Sequence, residues 1–410
     1  TLEKIMSATA KSGRIASIDI IRGIAIVGMV LCANIGFQSD LPAWMFHAQT
    51  PPPTYAFNPD VPGITWVDLV FPFFLFSMGA AFPFSMRKRL ERGQSRWSFA
   101  GSLVKRWFIL TLFAIVLGNA YSIWSTPRPA WQVHIYMIAV WAAMFLSLVR
   151  VQNPAGSDGW KKHLGTAVNL CGIIMFVALS FVFTRWFGLA LSKDRCDIII
   201  MILAVIAVTG GLIWMFTKDS IRLRWLIFML VAAIKALDSY APEALSFVPS
   251  CASVSWFFSW DWVQYLLIVL PGSIVGDMIL KHSRSGEKPQ IGRNGAIAGY
   301  VALAAALVQL WGLFTRHVTA DFIISGALAI TFFCLTWKER NVYTGTARIG
   351  FLLLLAGIIF DPIDGGITKD HCNLSYMLTT TGMTALTGAF VLVLELKWHI
   401  KGRGLSGCGQ

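Results

Sequence analysis

His47 stands in the segment AWMFHAQTPPP, behind Trp44, Met45 and Phe46 and ahead of Pro51, Pro52 and Pro53. An imidazole so placed can take a proton as a general base or accept an acyl group as a nucleophile. The apolar residues hold the segment at a membrane surface, and the prolines restrict its backbone. Asn34 closes the apolar run before this segment, and Asp68 opens the run after it. A carboxylate beside an imidazole fixes its tautomer and raises its basicity, while an amide can donate to a developing oxyanion. His47, Asn34 and Asp68 therefore form a candidate catalytic set. Each also has a plainer reading. An interfacial histidine needs no role, and an aspartate following Thr65 at a helix start offsets the helix dipole. Spacing alone leaves both readings open.

Other polar groups interrupt the apolar runs. Asp19 and Arg22 are three residues apart and share a helical face, as do Lys235 and Asp238, so both sets read as ion pairs that let charge persist in an apolar span. Arg22 with Lys105 and Arg106 alternatively makes a cationic cluster able to hold the phosphates of a cofactor. Arg87, Lys88 and Arg89 read as topology signals. The segment DPIDGGITKDHCNLSYM concentrates Asp361, Asp364, Lys369, Asp370, His371 and Ser375 beside turn-forming glycines, a set suited to a hydroxylated substrate or to simple solvation. Asn373 to Ser375 also fits the glycosylation acceptor pattern.

The elements that must position these groups are membrane helices. The chain of 410 residues is 56% hydrophobic and 13% charged, against about 25% charged in ordinary soluble domains, and its mean hydropathy is +0.64. Apolar runs of spanning length recur without the period-two alternation of a barrel wall. The expected fold is therefore all-α, a polytopic bundle of about twelve transmembrane helices near 15–37, 65–86, 101–123, 131–149, 164–187, 197–216, 223–240, 262–280, 295–314, 319–337, 347–360 and 374–396. The 223–240 run is the weakest, because Lys235 and Asp238 interrupt it. No repeat, low-complexity tract or linker divides residues 1–410, which read as a single domain whose motifs are densest at 14–86.

With the N-terminus in the cytoplasm, of 34 lysines and arginines only Arg128, Arg185, Lys193, Arg195, Arg316 and Lys369 fall in outer segments, and Lys235 falls inside a span. All the others lie in inner segments, as positive-inside topology requires. The net charge of +13 is thus a property of inner loops facing anionic lipid and excludes nucleic acid as its partner. The seven cysteines contain no C-x-x-C pair and indicate no metal site. They read as unpaired thiols, with one bridge among Cys196, Cys251 and Cys372 the alternative. The first apolar run is too long for a cleaved signal and is expected to stay as the first helix.

RIASIDIIRGIAIVGMVL, Asn34, His47 and GITWVDLVFPFFLFSMG, in that order, resemble the heparan-α-glucosaminide N-acetyltransferase family and its bacterial relatives, as do Gln132 in WQVHIYMIAV and the segment KDHCNLSY. The resemblance implies a transmembrane acyltransferase that takes acetyl-CoA from the cytosol and acetylates an amino sugar or other glycan acceptor across the membrane, here the bacterial inner membrane. It implies that His47 is the active histidine, Asn34 its neighbour and Asp68 the aspartate of the D-L-V-F-P motif. Gln132, Lys369 and Ser375 would then meet the acceptor, Arg22, Lys105 and Arg106 the CoA, with no metal required. Family enzymes point to a homodimer. Bacterial relatives continue beyond the position of SGCGQ into a further apolar region, so a chain truncated at its C-terminus is expected. Two rivals remain from the residues: a secondary transporter with a path through Asp19, Lys235, Asp238 and Asp277, against which the lack of a repeat counts, and a scaffold of the same fold without catalysis.

Overall fold

The computed structural model describes residues 16–36, 40–149, 163–245, 256–286, 291–400 and 402–409. Cys251 and the inner-loop cations Lys4, Lys11, Arg14, Arg150, Lys161, Lys162, Lys288 and Lys401 lie outside the described residues. The long helices are α1 (Ala16–Asn34), α2 (Trp66–Glu91), α3 (Arg96–Tyr121), α4 (Ala130–Leu148), α5 (Leu164–Trp186) and α6 (Ile198–Thr217), followed by α7 (Ile221–Tyr240), α8 (Leu266–Ser285), α9 (Arg293–Thr315), α10 (Val318–Leu335), α11 (Val342–Phe360) and α12 (Leu374–Trp398). Among the described residues there is no strand. In a bilayer core a helix satisfies its own backbone groups, so every apolar run of sufficient length becomes one.

Among the described residues, eleven helices are long and apolar enough to cross a membrane. The expected twelfth span, α7, is a helix of full length but carries Arg222, Arg224, Lys235 and Asp238 and does not belong to that set. Its two buried charges are partnered. Lys235 lies 3.7 Å from Asp238, and the fully buried Arg224 donates to Asp277 at 2.6 Å and to the hydroxyl and carbonyl of Thr217. The six described cysteines are free thiols.

Backbone packing distinguishes two compact units, although no linker in the sequence marks a division. One holds Arg92–Leu212 with residues 256–263. In it α3, α4 and α5 close around Phe113, Leu117, Tyr136, Val140, Phe176 and Phe183. The buried Asn119 secures the loop before α6, donating to the Ser192 carbonyl at 2.7 Å and accepting from the Ser192 amide at 3.0 Å.

The other unit comprises the described residues up to Glu91, Ile213–Leu245 and Gln264 onward. Its centre is α12, buried almost throughout and packed on α11, α9 and α2. Thr380, Thr381 and Thr384 on α12 return their hydroxyl protons to carbonyls one turn back, at 2.6–2.7 Å, which allows polar side chains in an apolar interior. The pair α2–α8 approaches closely. A Cβ on Gly272 would stand 2.3 Å from the Phe76 carbonyl, and one on Gly276 2.3 Å from that of Ala80. Glycines four residues apart remove those atoms and let the backbones meet, the small-residue packing of membrane helices.

A histidine, an aspartate and a lysine at the first turn of α2

Asp68 sits in the first turn of α2, fully buried, and its two oxygens face different partners. Oδ2 accepts from the Thr65 amide at 2.9 Å and lies 3.4 Å from the Ala48 amide. This is half of a capping box, in which an acidic residue three positions into a helix satisfies the N-cap amide. The Thr65 hydroxyl lies 2.7 Å from the Phe46 carbonyl and 3.3 Å from Oδ2, and its single proton serves the nearer acceptor. Oδ1 lies 2.6 Å from His47 Nδ1. The helix-start and imidazole-partner readings of Asp68 therefore hold together, one oxygen for each.

An ionised carboxylate only accepts, so the 2.6 Å contact places the hydrogen on Nδ1 and leaves the Nε2 lone pair for chemistry. Lys369 Nζ lies 3.2 Å from Nδ1 and 3.8 Å from Asp68 Oδ1. With Nδ1 already a donor, the ammonium answers the carboxylate, supplying the cation that a fully buried Asp68 requires. The His47 side chain is 37% exposed and that of Lys369 29%, whereas Asp68 has no exposure. The imidazole is thus reachable while the carboxylate that orients it is sealed.

Two loops hold this arrangement. Buried Gln49 donates to the carbonyls of Val61 and Gly63 at 3.0 and 3.2 Å and accepts at its backbone carbonyl from the Asn58 amide, closing the His47 loop on itself. Phe46 is buried edge-on against Tyr55 and anchors the residue before His47. Gly63, at φ +129, turns its amide to the Ile367 carbonyl at 2.8 Å and joins the first loop to the one bearing Lys369. In that second loop Arg316 grips both oxygens of Asp361 at 2.9 Å, and Asp361 accepts from the Ile367 amide. The Tyr376 hydroxyl then donates to the Asp68 carbonyl at 2.9 Å, tying α12 to the first turn of α2.

The remaining expected residues take other places. Asn34 is exposed, and its amide donates back to the Val30 carbonyl at 2.7 Å rather than to the His47 site. A short amide at a helix end finds the carbonyl one turn behind it before it finds a distant loop. Arg22 lies in the same unit as His47, 3.8 Å from Asp19, and donates to the carbonyls of Gly409 and Ser77. Lys105 and Arg106 belong to the other unit and are exposed. So does Gln132, which accepts from the Trp186 indole at 3.3 Å. Ser375 is fully buried, its hydroxyl on Asn373 and its amide on Asp364. Asn373 is not an accessible glycan acceptor: its side chain caps α12 through the Tyr376 amide and donates to Gly366. Thr65, Gln49 and Tyr376 were not singled out from sequence. Thr65 three residues before Asp68 was the one available signal, a capping pattern.

An imidazole with an oriented lone pair, a buried carboxylate behind it and an ammonium beside it can remove a proton from an attacking amine or hydroxyl, or carry an acyl group itself. Lys369 can also offset negative charge on an acyl oxygen. Among the described residues no cluster has the makings of a metal site.

These features define a polytopic helical membrane protein with a histidine–aspartate–lysine cluster at the first turn of one helix. The chain belongs to the family described as a domain of unknown function, DUF5009, which matches residues 14–279. It is also similar to two characterised proteins, each named heparan-alpha-glucosaminide N-acetyltransferase. The human one is 36% identical over 107 residues, 26% of this chain and 14% of that protein. The mouse one is 32% identical over 110 residues, 27% of this chain and 15% of its relative. The match thus spans a small part of either relative's length, and part of this chain is homologous to a membrane N-acetyltransferase.

Proposed function

We propose that this protein transfers an acetyl group from acetyl-CoA on the cytoplasmic side to the amine or hydroxyl of an amino sugar or other glycan on the outer side of a bacterial inner membrane. The observation that carries the reading is the 2.6 Å contact between His47 Nδ1 and a fully buried Asp68, with Nε2 left open. In direct transfer Nε2 takes the acceptor's proton as its nitrogen or oxygen attacks the thioester carbonyl. The C–S bond breaks, and the CoA sulfur receives that proton from the imidazolium. In the two-step route Nε2 attacks the carbonyl first, the C–S bond breaks and CoA leaves as the thiolate; the acceptor then displaces the imidazole, and its proton ends on the CoA sulfur. Asp68 holds the tautomer in both, and Lys369 faces the charge on the acyl oxygen.

The residues of the rival transport path are taken up in separate pairs: Asp19 with Arg22, Lys235 with Asp238, and Asp277 with Arg224. The test is acetyl transfer from labelled acetyl-CoA to a panel of amino sugars by the purified protein. His47→Ala should lower the rate about 10²- to 10⁴-fold, the span of general base catalysis. Transfer untouched by that substitution, or proton-coupled uptake into vesicles without CoA binding, overturns the reading.

A further inference from the structure

Lys369 Nζ lies 3.2 Å from His47 Nδ1, in the ring whose other nitrogen, Nε2, is the proposed point of acyl attachment. The Nδ1 hydrogen is taken by Asp68 Oδ1 at 2.6 Å, so the ammonium stands beside the ring and answers the carboxylate at 3.8 Å. Its side chain is 29% exposed and swings on four methylenes. An arginine in this place would supply the same charge and no nucleophile. A lysine supplies both, because its amine attacks acyl carbonyls once it has shed its third proton.

Two things hold the amine back. As an ammonium it has three hydrogens and no lone pair, and only the small uncharged fraction of a lysine is nucleophilic near neutral pH. An acceptor in the site, moreover, takes the acyl group first. When donor is present and no acceptor comes, the acyl group waits beside Lys369, and proximity lets even a small reactive fraction compete.

We infer that Lys369 is a self-acetylation site, which takes the acetyl group from His47 when no acceptor arrives and so switches the site off. The inference rests on the acyl-transfer reading above, in its two-step form. Nζ attacks the carbonyl carbon held on Nε2, a C–N bond forms, the bond from that carbon to Nε2 breaks, and its electron pair returns to the imidazole. In becoming an amide N–H the ammonium gives up two protons, one to the CoA thiolate and one to water. The product carries no charge. Asp68, which has no exposure, then loses the ammonium that answers it, and an incoming acyl oxygen loses its facing cation.

The test incubates the full chain in phosphatidylcholine nanodiscs with acetyl-CoA bearing a deuterated acetyl group and no acceptor, then locates the label by peptide mass spectrometry. Lys105 and Lys338 are exposed and report direct reaction with the thioester. Lys369 should be labelled at least about tenfold faster than either, because proximity outweighs its lower exposure, and His47→Ala should remove that excess. Should His47→Ala fail to fold, Lys369→Arg carries the test. Incubation with donor alone should then cost the wild type about 10²-fold in acetyl-transfer rate, while Lys369→Arg keeps its own starting rate. A parallel incubation with deuterated p-nitrophenyl acetate, a small ester that acylates imidazoles, takes CoA out of the question. Label on Lys369 from the ester and none from acetyl-CoA keeps the self-acetylation site and loses the donor proposed above. Lys369 unlabelled by either reagent overturns the site, and leaves the proposed function standing where amino sugars are still acetylated. Labelling of Lys369 that His47→Ala leaves undiminished overturns delivery by the histidine.

Discussion

At the scale of single residues, the two oxygens of Asp68 separate what a substitution does to activity from what it does to the fold. Asp68→Asn keeps an acceptor for the Thr65 amide, so α2 keeps its start. It no longer holds the hydrogen on His47 Nδ1 by a charged contact, and Lys369 loses its counter-charge. Acetyl transfer should fall about 10²-fold or more, while the melting temperature shifts by only a few degrees; paired rate and melting measurements check this. His47 and Asp68 were legible in sequence because both stand at the ends of apolar runs where a polar residue is conspicuous. Lys369 is 322 residues from His47; its polar segment and the resemblance of KDHCNLSY drew it in as a substrate contact, and neither pointed to Asp68 as its partner. Asn34 looked equivalent from spacing, yet spacing along a chain does not say which way a side chain at a fraying helix end turns.

Among the elements, the tight α2–α8 contact and the cap of α12 make separate demands. Gly276→Leu would drive a side chain into the Ala80 carbonyl and should destabilise the protein by about 1–3 kcal/mol, the usual scale of overpacking, seen as a lower thermal midpoint in detergent. Asn373→Ala removes the acceptor for the Tyr376 amide and should lose about 1 kcal/mol, because a helix start is left with an open donor. The helices themselves were readable from apolar length alone, to within a few residues at most ends. One of the ends that lies five residues away is the start of α11, at Val342 rather than near 347, because Asn341 and Thr344 cap one another reciprocally. That box lies in polar residues which hydropathy assigns to a loop.

For the whole molecule the open quantity is orientation across the bilayer. The cationic bias predicts that the loop of Lys369 lies outside, and its neighbour His371 is well exposed and, among the described residues, pairs with Asp60 at 2.8 Å. In a chain otherwise free of cysteine, His371→Cys should react with a membrane-impermeant maleimide added to intact cells, and labelling that requires permeabilised cells would invert the topology. Native Cys372 should stay unlabelled near neutral pH. Burial pushes its thiol up, against a smaller opposing effect of the Tyr265 hydroxyl at 3.0 Å, so little thiolate forms. The α6–α8 region offers a stability test. Arg224→Met leaves Asp277 charged and buried without its partner and should lose about 3–5 kcal/mol, visible as early unfolding on heating. Reading α7 as a marginal span was sound, but its buried arginine could not be matched to Asp277 without knowing that α7 and α8 lie together.

The stitch from Gly63 to Ile367, with Tyr376 reaching back to the Asp68 carbonyl, has a temporal meaning. A ribosome delivers His47 and Asp68 long before Lys369 and Tyr376, so the proposed catalytic set stays incomplete until Lys369 has been made and α12 has entered the membrane. Nascent chains that stall before Lys369 would carry the histidine and its aspartate without the lysine, and the proposed acetyl transfer would switch on only with the insertion of α12.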